Sequence, residues 1–170
     1  MILIGIGSNL AAPAFGSPED TVSAAVAQLP AVGIRVVLRS RWYRSAPVPP
    51  SDQPWYVNGV AAVETRLTPT ALLAALLLLE TRFGRRRSVP NAARTLDLDL
   101  LDYDGRQSAS ERLTLPHPRL HERRFVLAPL AEIAPDWRHP RRGVSAKELL
   151  RRLAPGDPVC ALGEPPPPHG

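Results

Sequence analysis

Residues 94–101 read RTLDLDLL. Strict alternation of leucine with aspartate suits an extended strand, in which successive side chains point to opposite faces and residues two apart share one. Leu96, Leu98 and Leu100 then enter a core, while Asp97 and Asp99 stand together on the other face. Two like charges so placed raise each other's pKa, and burying either without a partner is costly. A hard divalent cation relieves both problems. Mg²⁺ takes one or two carboxylates and completes its shell with water and phosphate oxygens. Taken alone, such a pair is more simply read as solvated or paired to arginine, so its neighbours decide.

Those neighbours are basic. Arg85, Arg86 and Arg87 follow Gly84, and the segment 85–94, RRRSVPNAAR, runs straight into the acidic strand. A basic loop beside a metal site can close over a polyphosphate and stabilise charge in a transition state. Cations at a helix C-terminus also favour the helix dipole, so for Arg85 to Arg87 the two readings balance. Arg94, three residues before Asp97, reads as functional. Of the 21 basic residues only Lys147 is lysine. Arginine's planar fork suits phosphate, although scattered arginines follow from composition alone. The net charge is +5.

Other segments give the order of the elements. Residues 2–8 (ILIGIGS) read as a buried opening strand ending in a glycine-containing turn. Ser17-Pro18-Glu19-Asp20 is a helix start, with Val22, Ala25, Val26 and Leu29 on one stripe and Pro30 closing it. Residues 34–45 and 56–65 are rich in strand formers, and the proline-rich 46–56 between them is an irregular loop. Thr68-Pro69 starts a helix through Phe83 that Gly84 stops. Asp104-Gly105 predicts a hairpin turn with a partner strand near 106–115. Residues 121–134 read as a helix despite Pro129, and Ser145 with Glu148 caps a last helix ending near Leu153. The order is α+β with a mainly antiparallel sheet and a ferredoxin-like core.

With 170 residues the chain suits one domain. Residues 1–154 are expected to form it, leaving 155–170 as a proline-rich tail, disordered or extended. Cys160 is the one cysteine, so an intramolecular disulfide and an all-cysteine metal site are excluded. The longest uncharged apolar stretch, Ala71 to Leu79, is too short to span a bilayer. The first residues lack a basic region and cleavage site. A cytoplasmic protein is expected. Neither the G-x-x-x-x-G-K-[ST] phosphate loop nor a Rossmann G-x-G-x-x-G is present.

Tyr56 and Asn58 share a strand face, and an aromatic ring beside an amide suits a flat heterocycle. Phe125 could supply a second stacking face. His117, Arg119, His121, Arg123 and Arg124 together form a further anion-contacting segment, with prolines on both sides of His117.

The stretches IGIGSNL, YRSAPVPPSDQPWYVNGV, ETRFGRRR, RTLDLDLL and LTLPHPRLHERRFVLAPLAEIAPDW occur here in the order found in 6-hydroxymethyl-7,8-dihydropterin pyrophosphokinases of folate biosynthesis, and residues 2 to about 137 resemble that family. The resemblance implies a three-layer αβα, ferredoxin-like fold. It implies transfer of pyrophosphate from ATP to the pterin's hydroxymethyl oxygen, with release of AMP. It further implies that Asp97 and Asp99 bind two Mg²⁺ ions and that Arg85 and Arg94 are the catalytic arginines. By the same match Arg87, Arg112, Thr114, His117 and Arg123 contact ATP. Tyr56 and Phe125 sandwich the pterin, Asn58 bonds its edge, and main-chain groups near Ser45, Ala46 and Val48 complete the pocket. The implied partners are these two small molecules, with neither nucleic acid nor membrane, and the expected state is a monomer. The chain departs from many members at Asn91 and Ala93, where Trp and Pro are common, and at Leu77, where Gln is common.

Two other readings compete. A nucleotidyltransferase would pair Gly7-Ser8 with the aspartates, but these normally lie close in sequence and here are far apart. An RNA-binding module would need exposed aromatics on central strands, and the acidic strand face would repel RNA.

Overall fold

The computed structural model describes residues 1–85, 93–154, 156 and 158–163. Its strands are β1 (Ile2–Ser8), β2 (Ile34–Arg39), β3 (Trp42–Ser45), β4 (Tyr56–Thr65), β5 (Asp97–Tyr103), β6 (Ser108–Ala109), β7 (Thr114–Leu115) and β8 (Val159–Leu162). Its helices are α1 (Pro18–Gln28), α2 (Pro69–Arg82), α3 (Arg124–Ile133) and α4 (Ala146–Arg152). The main sheet is antiparallel, in the order β5-β1-β4-β3-β8, and β2 also pairs with β4.

The sheet separates two cores. Ile2, Ile4 and Ile6 of β1, Val57, Ala61 and Val63 of β4, and Leu98 and Leu100 of β5 pack with Leu96 against α1 and α2. The opposite face carries Leu3, Val60, Ala62 and Leu101, covered by α3 and α4. This is the expected three-layer, ferredoxin-like α+β arrangement. Leucines and aspartates of β5 divide between the faces as their alternation requires.

Local signals set the helix ends. Ser17 accepts from the Asp20 amide while Asp20 accepts from the Ser17 amide, a reciprocal cap at the start of α1. Thr68 caps α2 through the Ala71 amide, and Ser145 caps α4 through the Glu148 amide. Pro129 lies inside α3, where it removes one helical donor without ending the helix.

Two expectations need correction. Asp104 and Gly105 do turn the chain, both at positive φ (51° and 70°), but no hairpin partner of β5 follows. Residues after the turn pair with themselves as the small ribbon β6–β7. The partner of β5 is β1, whose isoleucines and glycines match its alternation in register. The tail also contributes to the fold: Val159 to Leu162 pair with Ser45 to Trp42 and extend the sheet as β8. The open edge of β3 offers unpaired backbone groups, and four residues free of proline are enough to take them. Residues 34–45, rich in strand formers, hold the two strands β2 and β3.

On the far side of the sheet, Trp137 Nε1 donates to the buried Asp102 at 2.9 Å, and the rings of His121 and His139 meet edge to face at 5.4 Å. Burial, with the facing His121, Arg142 and Arg141, pushes His139 down to about 4 from 6.5. The unfolded chain therefore accepts a proton that the folded one resists. Stability from this residue is intact above about pH 6.5 and is lost as the pH falls toward 4, on the order of 2–3 kcal/mol. His117 acts in the same direction. Urea unfolding at pH 7 and pH 4.5 should give His139→Gln a shallower acid loss than the native chain; an identical loss would contradict the assignment.

Candidate active site

The site is built on one row of the sheet. Asp97 of β5 lies opposite Gly7 of β1, Gly7 opposite Asn58 of β4, and Asn58 opposite Tyr43 of β3. One pair along, Asp99 lies opposite Gly5. Gly7 leaves space between Asp97 and the pocket residue Asn58. A Cβ on Gly7 would stand 3.0 Å from Asn58 Oδ1 and 4.0 Å from the Asp97 Cβ. Any larger residue there would push the amide out of place.

Asp97 is gripped from two sides. Arg85 donates to its Oδ1 at 2.8 Å and Arg94 to its Oδ2 at 2.6 Å. Asp99 has weaker company, with Arg123 at 3.8 Å and His117 Nε2 at 4.0 Å. Desolvation and the Asp97 charge push Asp99 up to about 6. Burial holds His117 down near 4, so the ring is neutral at pH 7 and its approach to Asp99 is not an ion pair. The Arg119 amide donates to His117 Nδ1 at 3.2 Å, which leaves Nε2 to carry the proton and face Asp99.

Beside the acids is a cavity of ≈ 130 Å³. The expected pocket residues Ser45, Ala46, Val48, Tyr56, Asn58 and Phe125 all line it, and Arg94, Asp97 and Arg123 form its side toward the acids. Asn58 Nδ2 donates to Ser45 Oγ at 2.7 Å, so Ser45 contributes a side chain as well as main chain. Arg123 lies over the Phe125 ring at 5.6 Å from the centroid. Burial raises the Tyr56 hydroxyl pKa.

Arg112 and Thr114 do not line this cavity; Thr114 opens β7 and Arg112 is exposed just before it, on the ribbon that leads to His117. Arg87 and the departure at Asn91 lie outside the described residues.

Two contributors were not read from the sequence. Glu80, 2% exposed in the last turn of α2, accepts from the Leu98 amide at 2.7 Å and from Arg85. It thereby fixes both the acidic strand and the arginine that holds Asp97. Burial nevertheless pushes its carboxyl up to about 7. Its signal was available: an acid four residues after Leu76 falls on the buried stripe of a leucine-rich helix. Asn9, just past β1, carries no such signal.

Comparison with known proteins follows the same outline. A family model described as 7,8-dihydro-6-hydroxymethylpterin-pyrophosphokinase (HPPK) matches residues 3–135. Relatives named 2-amino-4-hydroxy-6-hydroxymethyldihydropteridine pyrophosphokinase include one from Synechocystis sp., 44% identical over 89% of this chain and 75% of its own length. Another, from Methylorubrum extorquens, is 43% identical over 89% of this chain and 92% of its own. Among solved structures, a Plasmodium falciparum HPPK-DHPS triple mutant superposes with a TM-score of 0.67 at 11% identity, covering 89% of this chain. The chain spans 44% of the length of that protein, and at this identity the likeness speaks to the fold alone.

Glu80→Ala should strand the Leu98 amide and release Arg85, at a cost of about 3 kcal/mol in urea unfolding. Glu80→Gln keeps an acceptor for Leu98 and should recover part of that loss. Native stability in Glu80→Ala would contradict the bracing role.

Proposed function

The chain belongs to the 7,8-dihydro-6-hydroxymethylpterin-pyrophosphokinase family, and from that premise we propose that it transfers pyrophosphate from ATP to 6-hydroxymethyl-7,8-dihydropterin, releasing AMP, in folate biosynthesis. The observation that carries this reading is the shared sheet row: a cavity lined by Tyr56, Asn58 and Phe125 opens directly onto Asp97 and Arg94. The two substrates would meet there with the hydroxymethyl group toward the acids.

The residues fit magnesium. Two carboxylates share one face, and Asp99 is held above its ordinary pKa by desolvation and its neighbour's charge, a strain that a cation would remove. Among the described residues no cluster of three or more His, Cys, Asp or Glu could hold a metal. That suits an ion completed by substrate phosphates rather than a closed protein cage. Asp97 and Asp99 would hold two such ions. Bound there, Mg²⁺ supplies neutralisation of the ATP phosphates and alignment of the incoming hydroxyl.

The chain's own residues would do the rest. Tyr56 and Phe125 stack on the pterin faces, and Asn58, oriented by Ser45, reads its edge. The pterin hydroxymethyl oxygen attacks the β-phosphorus, the bond from that phosphorus to the α,β-bridging oxygen breaks, and AMP leaves with that oxygen. Arg94 and Arg85 already share Asp97. On nucleotide binding their free donors would turn to the charge building on the phosphoryl oxygens, worth far more in a water-poor site than in solution. Arg87, Arg112, Thr114, His117 and Arg123 would contact ATP. A neutral His117 offers its Nε2 proton as a donor without adding charge.

The working unit is taken as a monomer. The catalytic domain is taken as residues 1–154, with β8 an addition to its sheet. No helix among the described residues is long and apolar enough to cross a membrane. We infer a cytoplasmic location.

Protein incubated with Mg²⁺, ATP and the reduced hydroxymethylpterin should form AMP and pterin diphosphate in equal amounts. ADP as the nucleotide product would sink the reading. Asp97→Ala and Asp99→Ala should each abolish turnover while the far-UV circular dichroism stays native. Arg94→Ala should lower kcat by about 10²–10³; an unchanged kcat would remove Arg94 from the chemistry.

A further inference from the structure

Asn9 lies behind the cavity wall, 1% exposed, at the end of the strand that carries Gly5 and Gly7. Both ends of its amide are used. Nδ2 donates to Gln53 Oε1 and to the Pro54 carbonyl, each at 3.1 Å. Oδ1 accepts from the Arg94 amide at 2.7 Å. The main chain repeats the link, because the Asn9 and Leu10 amides both donate to the Arg94 carbonyl, at 3.0 and 3.1 Å. Arg94 is thus held through both its N–H and its C=O by one short segment.

The two segments joined in this way have separate tasks. Residues 46–55 are an irregular, proline-rich stretch that supplies Ala46, Val48, Pro49, Ser51 and Gln53 to the cavity wall. Arg94 reaches from the same junction to Asp97. Neither segment is a strand or a helix at the junction, so neither is fixed by a hydrogen-bond ladder of its own. A side chain bridging them needs a donor at one tip and an acceptor at the other. Aspartate lacks the donor, serine lacks the reach, and glutamine is one methylene too long for the same path.

We propose that Asn9 is a positioning residue that couples the pterin-binding loop to the catalytic Arg94, so that the loop geometry stabilised by bound pterin also sets the arginine. The proposal rests on the pyrophosphokinase reading above. It gives a role to the IGIGSNL motif that the metal and pterin contacts leave unexplained. Asn9 touches neither substrate; it acts through Gln53 and Pro54 on one side and Arg94 on the other. The nucleotide-facing His117 and Arg123 reach the acids from the β7–α3 segment, and the side-chain hydrogen bonds of Asn9 go to Gln53, Pro54 and Arg94 instead, so nucleotide affinity should change little.

The test separates coupling from simple support by measuring three quantities on each variant: kcat, pterin affinity by fluorescence titration, and affinity for Mg²⁺ with a non-hydrolysable ATP analogue. With its three side-chain hydrogen bonds lost, Asn9→Ala should lower kcat and weaken pterin binding by about tenfold or more, with nucleotide affinity within about twofold of native. Asn9→Asp keeps the acceptor for the Arg94 amide and loses the donor to the loop. It should weaken pterin binding like the alanine variant while holding kcat closer to native, and this decides the matter even if Asn9→Ala does not fold. Native kcat and pterin affinity in Asn9→Ala, an equal loss of all three quantities, or a kcat in Asn9→Asp no better than in Asn9→Ala would each overturn the coupling. Failure of the underlying reading is distinct, because native protein would then form no AMP.

Discussion

Two carboxylates fixed one pleat apart on β5 set the terms for everything around them. The strand places Asp97 and Asp99 on one face because Leu98 and Leu100 must take the other. Their charges repel, and the fold answers by bringing cations from three directions. Arg85 comes from the end of α2, Arg94 from the approach to β5, and Arg123 from the start of α3. Glu80 is part of the same answer, an acid buried so that an arginine and a strand amide are held still. A site that carries guanidinium groups and spare carboxylate oxygens side by side is suited to a polyanion arriving with its metal. It is a poor place for an apolar ligand or for nucleic acid alone.

The pocket depends on the same sheet. Gly7 sits between Asp97 and Asn58, so the strand that carries no functional side chain at this level makes the contact between the two halves possible. From that row the site divides cleanly. The cavity side is aromatic and amide, matched to a flat heterocycle. The acid side is ionic, matched to phosphate and metal. Their meeting point is Arg94, which lines the cavity and bonds Asp97.

Much of this was legible in the residues because strand alternation is a local code. β1 was read from its apolar run, the faces of β5 and of Tyr56 and Asn58 on β4 from period-two patterning, and the helix starts from Ser17, Thr68 and Ser145. What escaped was non-local. Asp104-Gly105 encodes a turn but not the strand that follows it, and β5 found β1 instead because β1 matches it in length and pattern. β8 was hidden by the proline and glycine around it, since pairing of four residues depends on an open edge elsewhere rather than on their own propensity. Asn9 was missed for a similar reason: a buried polar side chain just past a strand is recognisable only when its partners, 44 and 85 residues away, are in view. Arg112 and Thr114 entered through family resemblance, and the fold sets them on the β6–β7 ribbon rather than in the acidic cluster.

The central claim is that the acid pair accommodates divalent metal together with the nucleotide. Mn²⁺ is a spectroscopic substitute for Mg²⁺, and its electron paramagnetic resonance signal can be followed as it is titrated into protein with a non-hydrolysable ATP analogue. The account predicts that Mn²⁺ is taken up in a nucleotide-dependent way by the native chain and that this uptake is lost when Asp97 and Asp99 are both replaced by asparagine. Equal Mn²⁺ uptake by the native and doubly substituted proteins would mean that the nucleotide alone carries the metal, and the reading of the acidic strand would fail.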